Sequence, residues 1–480
     1  MTLKRLITVF FALLASVLLT STLSLASATL TIVNVDGPNE GFNDPTPAKP
    51  VGQNTGKTVG AQRLKAFQFA ADVWGATLDS NVEIRIQASF DALSCTASAA
   101  VLGSAGTIQI VSDFSGAEFP NTWYPIALAN KRAGTDLIPG AAGTSADDIR
   151  ARFNSNLGQP NCLAGTGWYY GFDSKHGNNI DLVTVLLHEF GHGLGFASFV
   201  DESKGTEIHG QTDVYSRHLF DTTAGTTWDL MSTAQRKDSA INPRHVVWTG
   251  QGVAAAVPTV LTGSTPFMAV NTPASIAGSY EVGTASFGPA LTATGTMGDV
   301  VAAQDAADAA GPSSSDACST ITNPTAVAGH IALVDRGSCT FVTKAKNVQN
   351  AGATGMVVAD NVQSSPPSDM GGTDPSITIP SVRITLGDGN TIKTALATGG
   401  TVSVTLKVDT SLRAGTARSD ELHRAMVWSP DPVQPGSSIS HWDVIAFPNQ
   451  LMEPSINSDL THSVDVPADL TFRLLQDIGW

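Results

Sequence analysis

The stretch from His188 to His192, which reads His-Glu-Phe-Gly-His, is the feature that most constrains this chain. Histidines four positions apart project from the same face of an α-helix, so both imidazoles can bind one metal ion. A run of apolar residues precedes the motif, Asp181 is a suitable N-cap, and Gly193 or Gly195 can end the helix. The sequence therefore predicts a metal-binding helix that begins after Asp181 and ends near one of these glycines.

The residue types of this motif favour a hydrolytic zinc site. Such a zinc takes three protein ligands, keeps one position for water, and lowers the pKa of that water towards about 7. Glu189 is turned about 100° from His188 around the helix axis, so it is poorly placed as a third ligand. It can instead act as the general base towards the water. The alternative is a surface helix that carries two histidines by chance.

The motif supplies two ligands, and three hypotheses compete for the third. An acidic residue soon after the helix is the first, and a histidine of the next polar segment is the second. The third is a ligand from far down the chain. The nearby candidates are Asp201, Glu202, Glu207, Asp213, His209 and His218.

Composition limits the classes of partner. The chain has 480 residues, enough for two or three domains, and its hydrophobic content of 42% is typical of a globular protein. Its 42 acidic and 27 basic residues give a net charge of −15, which argues against nucleic acid or an anionic membrane as a partner. Calcium is compatible with so acidic a chain, but no segment has the spacing of an EF-hand loop.

The N-terminus has the pattern of an export signal. Lys4 and Arg5 precede an apolar run from Leu6 to Leu19, and Ala26-Ser27-Ala28 offers a small-x-small cleavage site. The alternative is a membrane anchor, for which the run is short, since a bilayer span needs roughly 20 residues. We therefore predict a signal peptide at residues 1–28 and a secreted protein that has no membrane partner after its removal.

Four cysteines in an exported chain favour two disulfides over free thiols. Three pairings are available, and proximity in sequence favours Cys318–Cys339, which leaves Cys95–Cys162.

Local patterns predict two structural units. Helical spacing of apolar residues predicts a helix over Ala61–Leu78, and alternation predicts a half-buried strand over Val82–Phe90. From about Val253 to Thr410 the chain is rich in small residues. Strand patterns at His330–Gly337, Met356–Asn361 and Ile377–Ile384, with a helical pattern at Cys339–Gly355, favour a folded α/β insert over a flexible linker.

The insert resembles a protease-associated domain. The resemblance lies in GHIALVDRGSCTFVTKAKNVQNAGATGMVVADN and ITIPSVRITLGDGNTIK, where strand, cysteine-containing turn, helix and strand follow the order of that family. Such domains are non-catalytic modules of secreted peptidases that cover or extend a substrate site. The resemblance implies that Asp335 and Arg336 are turn residues and not a catalytic pair.

The metal helix and the last 40 residues resemble the leishmanolysin-like branch of the metzincins. In other metzincins a histidine stands where this chain has Ser198, whereas this branch has a long insertion before the third histidine, a methionine turn and a C-terminal helix. The resemblance implies His441 as the third metal ligand, Met452 as the floor beneath the metal, and a last helix over Pro467–Ile478. The residues Met452-Glu453-Pro454 depart from the forms expected in this family.

Together these observations predict an α+β protein with a metzincin-like catalytic domain, a mixed sheet plus the metal helix, interrupted by an α/β protease-associated domain. The predicted boundaries are 29–252 and 411–480 for the two catalytic parts and 253–410 for the insert. The predicted function is zinc-dependent endopeptidase, with His188, His192 and His441 as ligands, Glu189 as base, and a protein or peptide as substrate. The rival hypothesis is a secreted binding or adhesion protein with a structural or vestigial metal site. The sequence gives no oligomeric state.

Overall fold

The computed structural model describes residues 27–138 and 147–480. Most of the predicted signal peptide, residues 1–26, lies outside this part of the chain. Ala28 is already buried, and its N–H donates to the carbonyl of Gly75 at 2.8 Å, so it belongs to the folded protein. No helix within residues 27–138 and 147–480 has the length and apolar character needed to cross a membrane.

The first unit is built on a four-stranded mixed sheet of order β1-β2-β6-β3. β1 (Leu30–Asn34), β2 (Ile84–Asp91) and β6 (Ile149–Asn154) are parallel, and β3 (Gly103–Thr107) is an antiparallel edge strand. The strand predicted over Val82–Phe90 is thus confirmed as β2. Its alternating side chains face the helices on one side and solvent on the other.

Two helices cover the inner face of this sheet. α1 (Val59–Thr77) confirms the first predicted helix, and the side chain of Thr58 caps it by accepting the N–H of Ala61. α3 (Leu182–Leu194) is the predicted metal helix. The indole N–H of Trp74 on α1 donates to the carbonyl of Leu187 on α3 at 3.2 Å, which joins the two helices inside the core.

Shorter elements complete this unit around the same hydrophobic cluster. They are β4 (Ile110–Val111), β5 (Thr122–Pro125), α2 (Ile126–Ala133), β7 (Trp168–Tyr169), β8 (Ile180–Asp181), β9 (Thr212–Asp213), β10 (Leu219–Asp221), β11 (Thr226–Thr227), α4 (Thr233–Ser239), β12 (Val246–Trp248), α5 (Gln251–Val260) and, from the end of the chain, α9 (Thr471–Asp477).

The second unit is an eight-stranded sheet of order β14-β13-β20-β16-β17-β18-β19-β15. Its middle strands β16 to β19 are parallel, and buried side chains form one cluster on each face, as expected for a buried α/β sheet. The elements are β13 (Thr265–Thr272), β14 (Gly278–Glu281), β15 (Gly283–Thr284), β16 (Thr296–Ala302), α6 (Pro324–Val327), β17 (Ile331–Asp335), α7 (Phe341–Asn350), β18 (Gly355–Ala359), β19 (Ser381–Ile384), α8 (Leu386–Ala397) and β20 (Ser403–Asp409).

This unit starts later than the sequence predicts. α5 follows residue 250, and its side chains Val253, Val257 and Val260 pack in the core of the first unit. The carboxylate of Asp477 on α9 accepts the N–H groups of Gly252 and Val253, which fixes the first turn of α5 to the last helix. The insert therefore begins near residue 265. The boundary predicted from the sequence was too early because composition alone does not show against which core a helix packs.

Two other predicted elements are shorter in the structure. The strand predicted over Ile377–Ile384 is limited to β19, because Pro380 has no N–H to donate to a ladder. The last helix, predicted over Pro467–Ile478, begins only at Thr471. Ahead of that residue, the carboxylate of Asp469 accepts the N–H of Thr471 at 2.7 Å.

Both disulfides have the favoured pairing. Cys95–Cys162 lies in the first unit and Cys318–Cys339 in the second. The two units also meet through an antiparallel bridge between Ser365 and Asp431, with reciprocal N–H to carbonyl distances of 2.8 Å.

Candidate metal centre

Helix α3 presents two of the three histidines of the site. Asp181 caps its N-terminus by accepting the N–H of Val183 at 3.0 Å, as predicted. The helix ends at Leu194, and Gly195 follows with φ +121°, a backbone conformation that glycine adopts far more readily than other residues. The indole N–H of Trp480, at the end of the chain, donates to the Leu194 carbonyl at 2.7 Å. The metal helix is thereby held at both ends.

The third histidine comes from 249 residues beyond His192. The Nε2 atom of His441 lies 3.2 Å from Nε2 of His188 and 3.2 Å from Nε2 of His192, and the latter two atoms are also 3.2 Å apart. In residues 27–138 and 147–480, these three side chains form the one group of three or more His, Cys, Asp or Glu residues able to hold a metal ion together.

Main-chain carbonyls fix the tautomer of all three rings. Each Nδ1 lies 2.7–2.8 Å from a carbonyl oxygen, which can only accept, so each Nδ1 carries the ring hydrogen. The Nε2 lone pairs are then free and directed at one another. The acceptors for His188, His192 and His441 are Leu451, Phe196 and Ser437 respectively. This is the outer hydrogen-bonding pattern of metal-binding histidines.

The donor set fits a tetrahedral zinc ion. Nitrogens at about 2.0–2.1 Å from such an ion are about 3.3–3.4 Å from each other, close to the 3.2 Å observed. Burial lowers the pKa of His188 to about 4 and that of His192 to about 3, and burial lowers the pKa of His441 well below its ordinary value. Three neutral imidazoles with converging lone pairs repel each other, so their arrangement is favourable only around a cation.

Glu189 lies beside the histidines against the edge strand β3. Its carboxylate accepts the N–H of Ala105, and burial raises its pKa to about 8. A Cβ atom at Gly103 would lie 2.9 Å from Oε1 of Glu189, so the absence of a side chain there makes room for the carboxylate. Glu189 is thus held between the metal helix and the edge strand by a main-chain hydrogen bond.

Met452 lies beneath the metal helix. A Cβ atom at Gly191 would lie 2.9 Å from Sδ of Met452, so the glycine allows the methionine to approach the helix backbone. The N–H of Trp442 donates to the Met452 carbonyl at 2.8 Å, which ties the turn to the segment of the third histidine. The atypical residue that follows, Glu453, is buried and accepts the N–H of Gln450 at 2.7 Å.

A cleft of about 690 Å³ opens over the three histidines. Its lining includes the segment from Ala100 to Ala105, which contains the start of β3, and the segment of Pro435, Gly436 and Ser437. The disulfide Cys95–Cys162 joins the loop before β3 to the loop that carries Leu163, another lining residue.

The nearby candidates for the third ligand have other roles. Asp213 is buried and accepts the N–H groups of Phe199 and Ser216 at 2.9 and 2.7 Å, so it holds the chain after the helix. The ring of His218 stacks on Trp248 with 5.0 Å between centroids. Three of the remaining candidates are engaged elsewhere and the fourth lines the cleft: His209 beside Trp123, Asp201 with Lys204, Glu207 with Arg236, and Glu202 in the cleft wall.

Sequence reasoning missed the main-chain groups of the site. Backbone groups orient the site: three carbonyls accept from the imidazoles, and the N–H of Ala105 holds Glu189. Every residue has such groups, so no pattern of residue types indicates which of them are used. The two glycines that admit Glu189 and Met452 carry a signal only once their neighbours in space are known.

Comparison with known proteins confirms the predicted insert. Residues 296–392 match the family model described as "PA domain", so this chain contains a protease-associated domain within a mixed α/β structure. The chain is 55% identical over 51 residues to ER degradation-enhancing alpha-mannosidase-like protein 3 of Homo sapiens, an alignment that covers 11% of this chain and 6% of that protein. It is 35% identical over 116 residues to Minor extracellular protease Vpr of Bacillus subtilis, covering 23% of this chain and 14% of that protein.

These relatives share only a small part of their length with this chain. Among solved structures, BSAP, a zinc aminopeptidase from Bacillus subtilis, aligns with a TM-score of 0.22 and 22% identity over 32% of this chain and 31% of that one. Similarity of this extent does not bear on the architecture around the three histidines, which rests on the geometry described above.

Proposed function

We propose that this protein is a secreted zinc endopeptidase of metzincin type, similar to the leishmanolysin-like branch, with an inserted protease-associated domain. The observation that carries the proposal is the convergence of three Nε2 atoms to 3.2 Å, with every Nδ1 bonded to a carbonyl and Glu189 alongside. A structural zinc site is usually closed by a fourth protein ligand, whereas this one opens into a cleft.

The chain's own residues divide the work of peptide hydrolysis. His188, His192 and His441 would hold the ion, which when bound polarises the scissile carbonyl and acidifies a water molecule. Glu189 accepts the proton of that water at its carboxylate and delivers it to the leaving amine. The N–H of Ala105 keeps the carboxylate in place during both transfers.

The edge strand supports binding of an extended substrate. β3 pairs on one side with β6, and its other side borders the cleft. A peptide can therefore add to the sheet as a further strand through main-chain hydrogen bonds, which bind regardless of side chain. This mode places a peptide bond over the histidines and favours cleavage within chains.

Membership in a peptidase class is also supported by relatives. The protease Vpr is a peptidase by name and shares 35% identity over 116 residues with this chain, but that alignment covers only 14% of it. The two disulfides fit an oxidising, extracellular location. The rival, a secreted binding protein with a vestigial metal site, does not account for an intact Glu189 beside three free Nε2 atoms.

Metal analysis and casein hydrolysis test the proposal together. We expect one zinc per chain and internal cleavage of casein, seen as peptide fragments and not as release of single amino acids. Glu189→Gln should retain the zinc, because all three imidazoles remain, and should lose about 10²- to 10⁴-fold in kcat. Near-normal turnover in this variant would refute the role of Glu189. A parent protein with bound zinc but no hydrolysis of any peptide would favour the binding-protein hypothesis.

A further inference from the structure

Glu202 occupies a distinctive place in the wall of the metal cleft. It lies in the segment that leaves the metal helix, and it lines the cleft together with Ser198. The same two residues line a second depression of about 580 Å³ on this side of the molecule. Glu202 therefore lies where the two cavities adjoin.

The carboxylate of Glu202 has no cation within ion-pair distance in residues 27–138 and 147–480. Its acidic neighbours are already paired, Asp201 with Lys204 and Glu207 with Arg236, the latter at 3.1 Å. Burial, together with the charges of Asp201 and Asp213, raises the pKa of Glu202. A half-buried carboxylate without a cationic partner is stabilised by a cation that enters the cleft.

The other residues of the cleft lining do not compete with Glu202 for a cation. Among residues 27–138 and 147–480, no lysine or arginine lines the cleft, and the other acid of its lining, Glu189, is held against β3 by the N–H of Ala105. A different part of the lining is apolar and offers no partner to a charged side chain; it comprises Leu163, Ile180, Val185 and Ile456. Within the described lining, Glu202 is therefore the acid left to pair with a cationic side chain of a bound peptide.

We propose that Glu202 is a specificity-determining residue that pairs with a lysine or arginine side chain of the peptide substrate. This inference rests on the proposed peptidase function. Because the peptide crosses the cleft in one register, the preference applies to one position relative to the scissile bond. Hydrogen bonds to a charged group contribute about 1.5–3 kcal/mol, which corresponds to roughly a 10- to 150-fold preference.

The first test compares matched substrates. Cleavage sites in unfolded casein, mapped by mass spectrometry, identify the position that prefers lysine or arginine. Peptides with arginine or its neutral isostere citrulline at that position then give two values of kcat/KM. We expect a ratio of at least about 10 for the parent, a ratio near 1 for Glu202→Gln, and the parental ratio for Asp201→Asn, which removes the adjacent carboxylate. In the parent, the difference in kcat/KM between the arginine and citrulline peptides should arise mainly from KM.

A second test measures binding without turnover. In the Glu189→Gln background, calorimetry gives the Kd of the same two peptides, and the arginine peptide should bind at least about 10-fold more tightly. Adding Glu202→Gln should equalise the two Kd values. A parent that cleaves peptides without a cationic preference, or a preference that survives Glu202→Gln, overturns this inference and leaves the proposed function standing. Absence of any cleavage by the parent overturns the proposed function, and with it this inference, which rests on it.

Discussion

Replacing His441 by alanine tests whether the site is assembled from distant parts of the chain. The substitution leaves helix α3 unchanged and removes one of three Nε2 atoms that lie 3.2 Å apart. Loss of a hydrogen-bond partner behind a metal ligand costs about 10- to 100-fold in affinity, so loss of the ligand itself should cost at least about 100-fold.

This loss of affinity has a calculable effect on stability. At free zinc about 1,000 times the parental Kd, binding stabilises the fold by about 4.1 kcal/mol. A Kd about 100-fold weaker leaves about 1.4 kcal/mol at the same zinc concentration, a loss of about 2.7 kcal/mol. For a unit of this size the zinc-dependent rise in Tm should shrink by roughly 4 °C.

The assay measures bound zinc per chain after dialysis against a mild chelator, and Tm with and without added zinc. His209→Ala is the matched control, because this exposed histidine lies beside Trp123 and outside the cluster. His218→Ala is a second control, although loss of its stacking on Trp248 should lower Tm with or without zinc. Asp213 is an unsuitable control, since it is buried and accepts two main-chain N–H groups.

The expected outcome is loss of zinc from His441→Ala alone. Weak residual binding to His188 and His192 is compatible with the reasoning, since water can fill the vacated coordination position. If His441→Ala keeps one zinc per chain through dialysis while His209→Ala or His218→Ala loses it, the long-range assembly is wrong.

Two further predictions concern pH and the insert. Burial raises the pKa of Glu453 from 4.5 to about 8, so the folded state binds the extra proton and stability falls as pH rises between these values. The free energy of unfolding of the parent should therefore fall by roughly 3–5 kcal/mol between pH 5 and pH 8, measured by urea unfolding, and Glu453→Gln should remove this fall. The same pH dependence in parent and variant would contradict the prediction. Residues 262–412 expressed alone should unfold cooperatively, because Thr265 and Asp409 face each other at one end of the β13–β20 ladder, so that the insert begins and ends at the same place. They should bind no zinc, because the three histidines of the site lie outside this range. A gradual transition would contradict the first expectation, and bound zinc the second. Excising the insert and joining the two chain ends that flank it should reduce cleavage of folded proteins more than cleavage of short peptides.

Local residue patterns were sufficient to predict part of the fold. Helix α3, its cap at Asp181 and an end near Gly193 or Gly195 follow from apolar periodicity and residue preference. The structure confirms the helix and its cap, and it selects Gly195 for the end. The alternating strand β2 and the helix α1 were predictable in the same way. The protease-associated domain was recognisable because its order of elements is itself a linear pattern, and residues 296–392 match its family.

Residue chemistry narrowed the site but did not complete it. Two histidines on one helix turn require a third ligand, and nothing local distinguishes His441 from His209, His218 or Asp213. The resemblance to a known family favoured His441, and the coordinates bring its Nε2 to 3.2 Å from the other two. Nearness along the chain was a poor guide here, because a folded insert separates the parts of the site without separating them in space.

How the site is held and what can enter it depend on contacts that form in the folded chain. The carbonyls of Leu451, Phe196 and Ser437 orient the imidazoles, and the position of Glu202 in the cleft wall depends on the path of the chain after the helix. The assignment of α5 to the first core was decided in the same way, by what it packs against. Local patterns consist of side-chain types and their spacing along the chain. These features depend instead on backbone groups and on contacts between residues up to 263 positions apart. Such contacts form only when the whole core assembles.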